Sequence, residues 1–376
     1  MRILQALTWV APGNPFGGPT RVAMNQRDEL NRRGHEITVV AAQPKAGQRG
    51  DWSCESLQVR GFDGRRVIPG AGFSGLVAPK LLRFGHVELH NFDVIHIHVA
   101  RDLVTLPLAL QARHQGVPYV LQPHGMVDAS DKTLARLVDA LATRRVFRSA
   151  STVLVLSESE RADVIETMPN EQLRLEVLPN GVPVDSEPAP TQSAIPEVLF
   201  CSRLHVRKRP VAFAQMATSL IGHGVEATFA MVGADEGQSP AVTATAAALV
   251  SRGAFRMEAA LSPDRVLARL RQSDLLVLPS IDEPFPMVVL EAMSVGLPVV
   301  ITDTCGLASF VSEHGTGLVV PSDDQPALER AVASLIEEPQ LRRSMGERGR
   351  NAVRAHLGMA GVADALERIY ERAQKT

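Results

Sequence analysis

The segment from Asp274 to Thr304 constrains the fold of this chain more than any other, because it predicts two buried strands joined by a short helix. The apolar run Leu275–Leu278 ends in a Pro-Ser pair, as a buried strand does when turn residues follow it. Pro286 stands where a first helical turn accepts proline, and the apolar residues 287–295 predict a short helix. A second apolar run, Leu297–Ile301, follows. The segment therefore predicts one unit of a parallel sheet, and such sheets bind ligands at the carboxyl ends of their strands.

Two glutamates in this segment are candidate ligand contacts. Glu283 lies in the loop after the first strand, and Glu291 lies in the helix with seven residues between the two. Apolar residues flank Glu291, and an ionised side chain is rarely buried without a partner. A carboxylate there predicts a bound hydroxyl pair, such as a ribose, or a buried cation, and the alternative is a solvated glutamate on an exposed helix edge. The helix start also offers free N–H groups and a positive dipole end to an anion.

Length and composition exclude several classes of protein. A chain of 376 residues is long enough for two domains with a core each. The net charge of −2 without a basic block argues against nucleic acid as a partner. Cys54, Cys201 and Cys305 lie far apart, which argues for a reducing compartment and against a disulfide framework. Without a signal-peptide pattern or an apolar stretch of bilayer length, we expect a cytoplasmic protein, at most peripheral at the inner face of the membrane.

A glycine pair lies at the first strand-to-helix junction. Gly17 and Gly18 stand between a predicted strand, Arg2–Leu7, and a predicted helix, Thr20–Arg33. Backbone without side chains can approach a phosphate at such a junction, and a plain glycine turn is the alternative. The pair is not a GxGxxG motif, and no acidic residue stands suitably after the second strand, so a dinucleotide fingerprint is not supported.

Histidines stand within one further predicted strand of the amino-terminal half and after another. His96 and His98 alternate with apolar residues and therefore share one strand face. No nearby cysteine or carboxylate completes a metal set, so we interpret both as hydrogen-bonded core or cleft residues, with His98 a candidate for an acceptor pocket. His124 lies past the end of the strand Val117–Leu121 and precedes a glycine. It is a candidate for contact with an anion, and a structural histidine is the alternative.

Two cations follow the first strand of the carboxy-terminal half. Arg203 lies two residues after the strand Val198–Cys201, and Lys208 lies five residues further on, at a predicted helix start. An arginine forms a forked contact with phosphate oxygens and a lysine supplies a compact charge, so the pair could bind a phosphate at the same sheet edge as Glu283. The alternative is an ordinary basic surface loop.

Together these residues resemble the donor-binding signature of the retaining glycosyltransferases of family four, the group 1 transferases of the GT-B fold. The Glu-x7-Glu run from Glu283 to Glu291 matches, and so does the Arg-Leu-x-x-x-Lys run from Arg203 to Lys208. The resemblance implies an α/β protein with two Rossmann-like β/α/β domains that face each other across a deep cleft. Residues 1–187 would bind the acceptor and residues 188–358 the nucleotide-sugar donor, while the carboxy-terminal helix, residues 359–376, crosses back onto the first domain.

The resemblance also implies a role for each candidate residue. Arg203 and Lys208 would hold the diphosphate, His124 would point at the donor sugar and phosphate, and Glu283 would meet the sugar hydroxyls. These four are the candidate catalytic residues. The candidate donor-binding residues, of which Glu291 would take the ribose, are Gly17, Gly18, Phe285, Pro286, Met287, Val288 and Glu291. The candidate acceptor contacts are His98 and Asn14.

Three positions depart from the family pattern. Ser202 replaces a usual glycine, and Asp235 replaces the second glycine of a Val-Gly-x-Gly loop. The segment Ala254–Ala259, where relatives read the base, lacks the usual glycine, so no contact to the base edge is assigned.

No Asp-x-Asp motif occurs, so the resemblance implies metal-independent transfer of a hexosyl group without a cofactor. The donor would be a UDP- or GDP-sugar and the acceptor a sugar or a polyprenyl- or other lipid-linked saccharide, in cell-envelope, exopolysaccharide or glycolipid synthesis. Arginines 144, 145 and 148, at the end of a helix predicted over residues 132–149, leave peripheral membrane contact possible. The alternatives are a sugar-nucleotide epimerase or phosphorylase on the same fold, or a non-catalytic nucleotide-sugar-binding module.

Overall fold

The computed structural model describes residues 1–11, 18–45, 58–68, 72–127, 138–169, 171–184, 187 and 193–375. The chain divides into two compact units. The first consists of Met1–Gly181 and Met359–Thr376, and the second of Val182–Gly358.

The first unit contains a seven-stranded parallel sheet. The strands of this unit are β1 (Arg2–Trp9), β2 (Glu36–Gln43), β3 (Val59–Asp63), β4 (Arg65–Arg66), β5 (Leu76–Val77), β6 (Val94–Ile97), β7 (Tyr119–Leu121), β8 (Thr152–Val155) and β9 (Leu175–Val177). The short strands β4 and β5 form a separate antiparallel pair, and the others lie in the order β3-β2-β1-β6-β7-β8-β9. Strands β2 and β3 therefore lie on one side of β1, and β6 to β9 follow in chain order on its other side.

Helices cover this sheet. They are α1 (Gly18–Arg32), α2 (Pro79–Glu88), α3 (Thr105–Gln115), α4 (Arg144–Ser149) and α5 (Glu158–Thr167). The sequence predicts that α3 begins at Arg101, but it begins at Thr105, because Asp102 Oδ1 accepts the backbone N–H groups of Val104 at 2.7 Å and Thr105 at 2.6 Å. A π-helical turn, Asp139–Thr143, precedes α4. The earlier part of the helix predicted over residues 132–149 lies outside the described residues.

The second unit repeats the plan with a six-stranded parallel sheet. Its strands are β10 (Glu197–Cys201), β11 (Thr228–Val232), β12 (Phe255–Glu258), β13 (Leu275–Leu278), β14 (Val299–Thr302) and β15 (Gly317–Val320), in the order β12-β11-β10-β13-β14-β15. Its helices are α6 (Pro210–Gly222), α7 (Ser239–Ser251), α8 (Pro263–Leu270), α9 (Met287–Ser294), α10 (Ala308–His314), α11 (Gln325–Glu337) and α12 (Pro339–His356). The strand–loop–helix–strand unit predicted for residues 274–304 is confirmed as β13, α9 and β14.

The last helix, α13 (Met359–Gln374), packs on the sheet of the first unit. Its buried Leu366 and Tyr370 belong to the same apolar cluster as Ile3 of β1 and Val94 of β6. At the edge of this contact, the Arg33 guanidinium forms ion pairs with Asp364 at 2.6 Å and Glu367 at 3.0 Å. Arg33 is 331 residues from Asp364 and 334 residues from Glu367 in the sequence, so only the tertiary structure brings these groups together.

Among the described helices, none is both long enough and apolar enough to cross a lipid bilayer.

Candidate functional site

The strand order of the second unit reverses between β10 and β13. These two strands are neighbours in the sheet, but the chain leaves β10 toward β11 and leaves β13 toward β14. The loops that follow them diverge at the carboxyl edge, and a parallel sheet binds ligands in the crevice at this switch point. The loop after β10 carries Arg203 and Lys208, and the loop after β13 carries Glu283. The topology therefore brings three of the four candidate catalytic residues to one place in the second unit.

The loop after β10 is fixed against the loop after β11. Ser202 N–H donates to Val232 O at 3.0 Å, and Leu204 N–H donates to Ala234 O at 2.8 Å. A Cβ atom on Gly233 would lie 1.9 Å from Ser202 O, so this close approach of two backbones needs glycine. The backbone of Arg203 is consequently held on both sides.

Lys208 lies in a 3₁₀ turn, Val206–Lys208, and not at the start of α6 as the sequence predicts. Arg209 adopts the left-handed conformation with φ 52°, which ends the turn one residue before α6 begins. The Lys208 ammonium group forms an ion pair with the Glu283 carboxylate, and the two side chains are only 12% and 14% exposed. The two residues are therefore held together in a largely buried pair.

Backbone hydrogen bonds to a third loop fix Glu283. Gly306 N–H donates to Glu283 O at 2.8 Å, and a Cβ atom on Gly306 would lie 1.8 Å from Pro284 O. Asp282, with φ 49°, has its N–H bonded to Thr304 Oγ1 at 3.1 Å. The loop after β14 thus supports the loop after β13.

Arg203 has a partner that sequence reasoning missed. Its Nη1 donates to Glu236 Oε1 at 2.8 Å, and the two side chains are 46% and 32% exposed. Glu236 directly follows Asp235, the residue that departs from the glycine-rich family pattern, and this departure was the available signal. Asp235 itself accepts the N–H groups of residues 237–239 at 2.9, 2.9 and 3.0 Å. These bonds hold the pKa of Asp235 below its usual value, and the carboxylate accepts the N–H group of the first residue of α7, Ser239.

The start of α9 is different, because no described side chain caps it. Phe285, Pro286 and Met287 are buried there, and Val288 is half-buried. An uncapped helix start offers backbone N–H groups and the positive end of the helix dipole to an anion.

Glu291, one turn further along α9, is buried at 5% exposure. Burial, followed by the charge of the Glu291 carboxylate, raises the pKa of the Cys201 thiol to about 12. The carboxylate therefore lies near the end of β10 and not in bulk water, which argues against the alternative of a solvated helix edge.

In the first unit, His124 is held at its backbone and at its ring. His124 and Gly125 both have positive φ angles, 54° and 71°, and the Gly125 N–H donates to the buried Glu160 carboxylate. Glu160 also accepts the Leu156 N–H at 2.6 Å, and burial raises its pKa. Sequence reasoning missed Glu160, whose only signal was its position in the first turn of α5.

The ring of His124 hydrogen-bonds to His98, with 2.7 Å between His98 Nδ1 and His124 Nε2. Burial lowers the pKa of His124 to about 3, so the imidazole is neutral. A histidine can meet an anion as a protonated ring or as a neutral hydrogen-bond donor, and the lowered pKa of His124 favours the neutral donor. His98 is 1% exposed and contacts His124, and His96 bonds to Tyr370 Oη at 2.7 Å, as expected of hydrogen-bonded core residues.

The remaining candidates lie at the glycine pair. Gly18 is the first residue of α1. Asn14 and Gly17 lie outside the described residues. No group of three or more His, Cys, Asp or Glu side chains in the described part of the chain is arranged to hold a metal ion.

Comparison with known proteins identifies the family of the chain. The family model of glycosyl transferases group 1 matches residues 185–352, and that of the glycosyl transferase 4-like domain matches residues 17–181. The D-inositol 3-phosphate glycosyltransferase of Corynebacterium jeikeium is 26% identical over 94% of this chain and 91% of its own length. The alpha-D-kanosaminyltransferase of Streptomyces kanamyceticus is 26% identical over 69% of this chain and 72% of its own length.

Solved structures share the fold. The Anabaena protein HepE, in complex with UDP-glucose, superposes with a TM-score of 0.72 and 18% identity over 100% of both chains. The two family models together account for both units, and each unit has the parallel α/β sheet of the GT-B enzymes. The chain therefore belongs to the glycosyl transferases group 1 and is a glycosyltransferase of the GT-B fold.

Proposed function

We propose that the second unit binds the diphosphate of a nucleotide sugar at the carboxyl ends of β10 and β13. The chain then transfers the hexosyl group, with retention of the anomeric configuration, to a saccharide or lipid-linked acceptor. One observation carries this assignment. Arg203 pairs with Glu236, and Lys208 pairs with Glu283, at the switch point of the sheet and beside the uncapped start of α9. Relatives named as a kanosaminyltransferase and a glycosyltransferase, and the UDP-glucose bound to HepE, support a nucleotide-sugar donor.

The cations suit a diphosphate. Arg203 is about half exposed, so an anion with two or more oxygens can reach its planar fork. The Lys208 ammonium group has three donors, so it can retain Glu283 and still bind a phosphate oxygen. The N–H groups at the start of α9 add a third source of positive potential.

Two glutamates, Glu283 and Glu291, suit the two sugars of the donor. Glu283 is held by Lys208 and by the loop after β14, so its carboxylate is pre-oriented to accept hydrogen bonds from hydroxyls of the transferred sugar. Glu291 lies near the end of β10, where it would accept the two ribose hydroxyls. His124, a neutral ring in the first unit, is the proposed donor to an oxygen of the sugar or phosphate.

In the proposed reaction, the bond between the anomeric carbon and the phosphate oxygen breaks, and the electron pair goes to the departing diphosphate. Arg203, Lys208 and the amides of α9 stabilise the negative charge that develops there, which is the part of the barrier an enzyme lowers most by electrostatics. The acceptor hydroxyl attacks from the face that the diphosphate leaves, and its proton passes to the departing phosphate oxygen. Retention follows from this same-face attack.

Metal independence is part of the proposal, because side chains and amides supply the positive charge. Turnover should be unchanged by EDTA and by added Mg²⁺, and loss of turnover with EDTA that Mg²⁺ restores would overturn this part. The anomeric configuration of the product, read from proton couplings at the anomeric carbon, tests retention separately.

The donor is tested by ligand-dependent unfolding. UDP-, GDP- and ADP-sugars are added one at a time, and a donor present at about 100 times its Kd should stabilise the protein by about 2.7 kcal/mol. Acceptor-dependent release of the nucleoside diphosphate must follow with the same donor. Release without an acceptor would indicate a different reaction, and binding without release would indicate a non-catalytic module.

A further inference from the structure

One face of the first unit's sheet changes from apolar to polar along its strands. Toward the amino ends, Ile3 and Val94 belong to the apolar cluster under α13. Two residues further along the same strands, and therefore on the same face, stand Gln5 and His96, both 0% exposed. His98 continues this row at 1% exposure. Fully buried polar side chains at the ligand-binding edge of a sheet call for a reason other than packing.

Three imidazole rings lie in a row at this edge. The rings of His96 and His98 are 4.7 Å apart with 15° between their planes, and those of His98 and His124 are 5.0 Å apart with 14° between their planes. His98 therefore lies between the other two rings. Burial lowers the pKa of all three below the usual value, to about 3 for His96 and for His124, so each ring carries a single proton.

The hydrogen bond from His98 to His124 consequently has one donor and one acceptor. Its 2.7 Å length joins His98 Nδ1 to His124 Nε2. The other nitrogen of His98, Nε2, is buried and has no hydrogen-bond partner among the described residues. If His124 were the donor, the proton of His98 would sit on that buried nitrogen as an orphaned N–H group, which is rarer in proteins than an unused acceptor. The proton of His98 is therefore better placed on Nδ1.

We propose that His98 is a positioning residue for His124: its Nδ1–H group donates to His124 Nε2, fixes the plane of that ring and places the proton of His124 on Nδ1. Among the described residues no other hydrogen bond to the His124 ring is found, so its second ring nitrogen, Nδ1, is a hydrogen-bond donor that a ligand can use. A fixed neutral donor suits an anionic phosphate oxygen or a sugar oxygen, because it needs no reorientation during the reaction. The contact between His124 and the donor substrate rests on the proposed function, whereas the geometry of the two histidines does not.

The backbone of His124 supports the same conclusion. Its positive φ of 54° is unfavourable for a residue other than glycine and persists only when neighbouring groups hold it. Glu160 holds the adjacent Gly125 N–H, and His98 holds the ring. A structural histidine alone would not require restraint at both ends.

The tautomer of His124 can be read directly by NMR of protein labelled with ¹⁵N-histidine, without any substrate. Signals of His124 are identified by their absence in His124→Asn. We expect a pyrrole-type Nδ1 and a pyridine-type Nε2 for His124 in the unaltered protein. A protonated Nε2 on His124 would overturn the proposal, whatever the variants show.

Two substitutions of His98 separate positioning from packing. An asparagine amide can occupy the place of Nδ1, and a glutamine amide the place of Nε2, so His98→Asn keeps the donor to His124 and His98→Gln loses it. We expect the His124 tautomer of the unaltered protein in His98→Asn and a shift toward protonated Nε2 in His98→Gln. His96→Leu is the matched control, because it removes the ring on the other side of His98 and should leave the His124 tautomer unchanged. An unchanged tautomer in His98→Gln, or an altered one in His96→Leu, would overturn the proposal.

Kinetics supply the second readout. With the donor found by ligand-dependent unfolding, His98→Gln should lower kcat by about 10- to 100-fold, the usual loss when the partner that orients a functional histidine is removed. His98→Asn should recover most of that loss, and equal losses in the two variants would contradict positioning through Nδ1. If no nucleotide sugar is turned over while the NMR results are as expected, the proposed function fails and the positioning of His124 stands.

Discussion

The ion pair between Arg203 and Glu236 gives the sharpest prediction about donor binding. Replacing the charged Glu236 at this site should make the donor bind more tightly. The two side chains are 46% and 32% exposed and meet at 2.8 Å, so the pair contributes only about 0.2–1 kcal/mol to stability. A diphosphate that takes Arg203 must displace Glu236. Glu236→Gln removes this competition, and the donor should bind about 1.4- to 5-fold more tightly.

Isothermal titration with the nucleoside diphosphate measures this change. Removing the Glu236 charge also reduces repulsion of the diphosphate, which acts in the same direction and weakens as salt is added. Glu176→Gln is the matched control, because Glu176 also pairs with a half-exposed arginine, Arg372, but lies in β9 of the first unit. That variant should leave the affinity unchanged.

The opposite substitution completes the test. Arg203→Ala should cost less than about 1 kcal/mol of unfolding free energy, since its pair is solvent-screened, yet lower kcat by about 100- to 1,000-fold if it stabilises the departing diphosphate. Weaker diphosphate binding in Glu236→Gln would refute the competition and would indicate that Glu236 itself contacts the donor. Near-normal turnover in Arg203→Ala would remove Arg203 from the catalytic residues.

Three further outcomes are expected. Lys208→Ala should raise the activation barrier of the transfer by about 3 kcal/mol, so kcat should fall. It also leaves the Glu283 carboxylate without its ion pair, so the protein should unfold more readily. Unchanged kcat would exclude Lys208 from stabilising the charge of the departing diphosphate. Glu291→Ala should chiefly raise the donor KM, because a ribose contact is made equally in ground and transition states, and a fall in kcat alone would contradict that role. Burial lowers the pKa of His96 to about 3 from 6.5, so the unfolded chain binds this proton first as the pH falls. The contribution of His96 to the free energy of unfolding should therefore drop by about 2 kcal/mol from pH 7 to pH 5. Denaturant unfolding of His96→Leu should show a smaller loss of stability over the same pH range.

The elements of the candidate site could be predicted from the sequence because their signals are local. The apolar run before Pro279 and the proline at the start of α9 specify a buried strand and a helix start within a few residues of themselves. The helix predicted to begin at Arg101 shows where such signals mislead, since the turn at Asp102 satisfies the first backbone N–H groups with a side chain.

The sequence by itself determined the alternation of strands and helices, the candidate cations and glutamates of the second unit, and the family signature. Only the tertiary structure decided which of those charges meet. Lys208 and Glu283 are 75 residues apart, Arg203 and Glu236 are 33 apart, and His98 and His124 are 26 apart. Periodicity specifies which face of an element is buried, but the partner across that face depends on the order of the strands, and that order is set by the packing of the whole sheet.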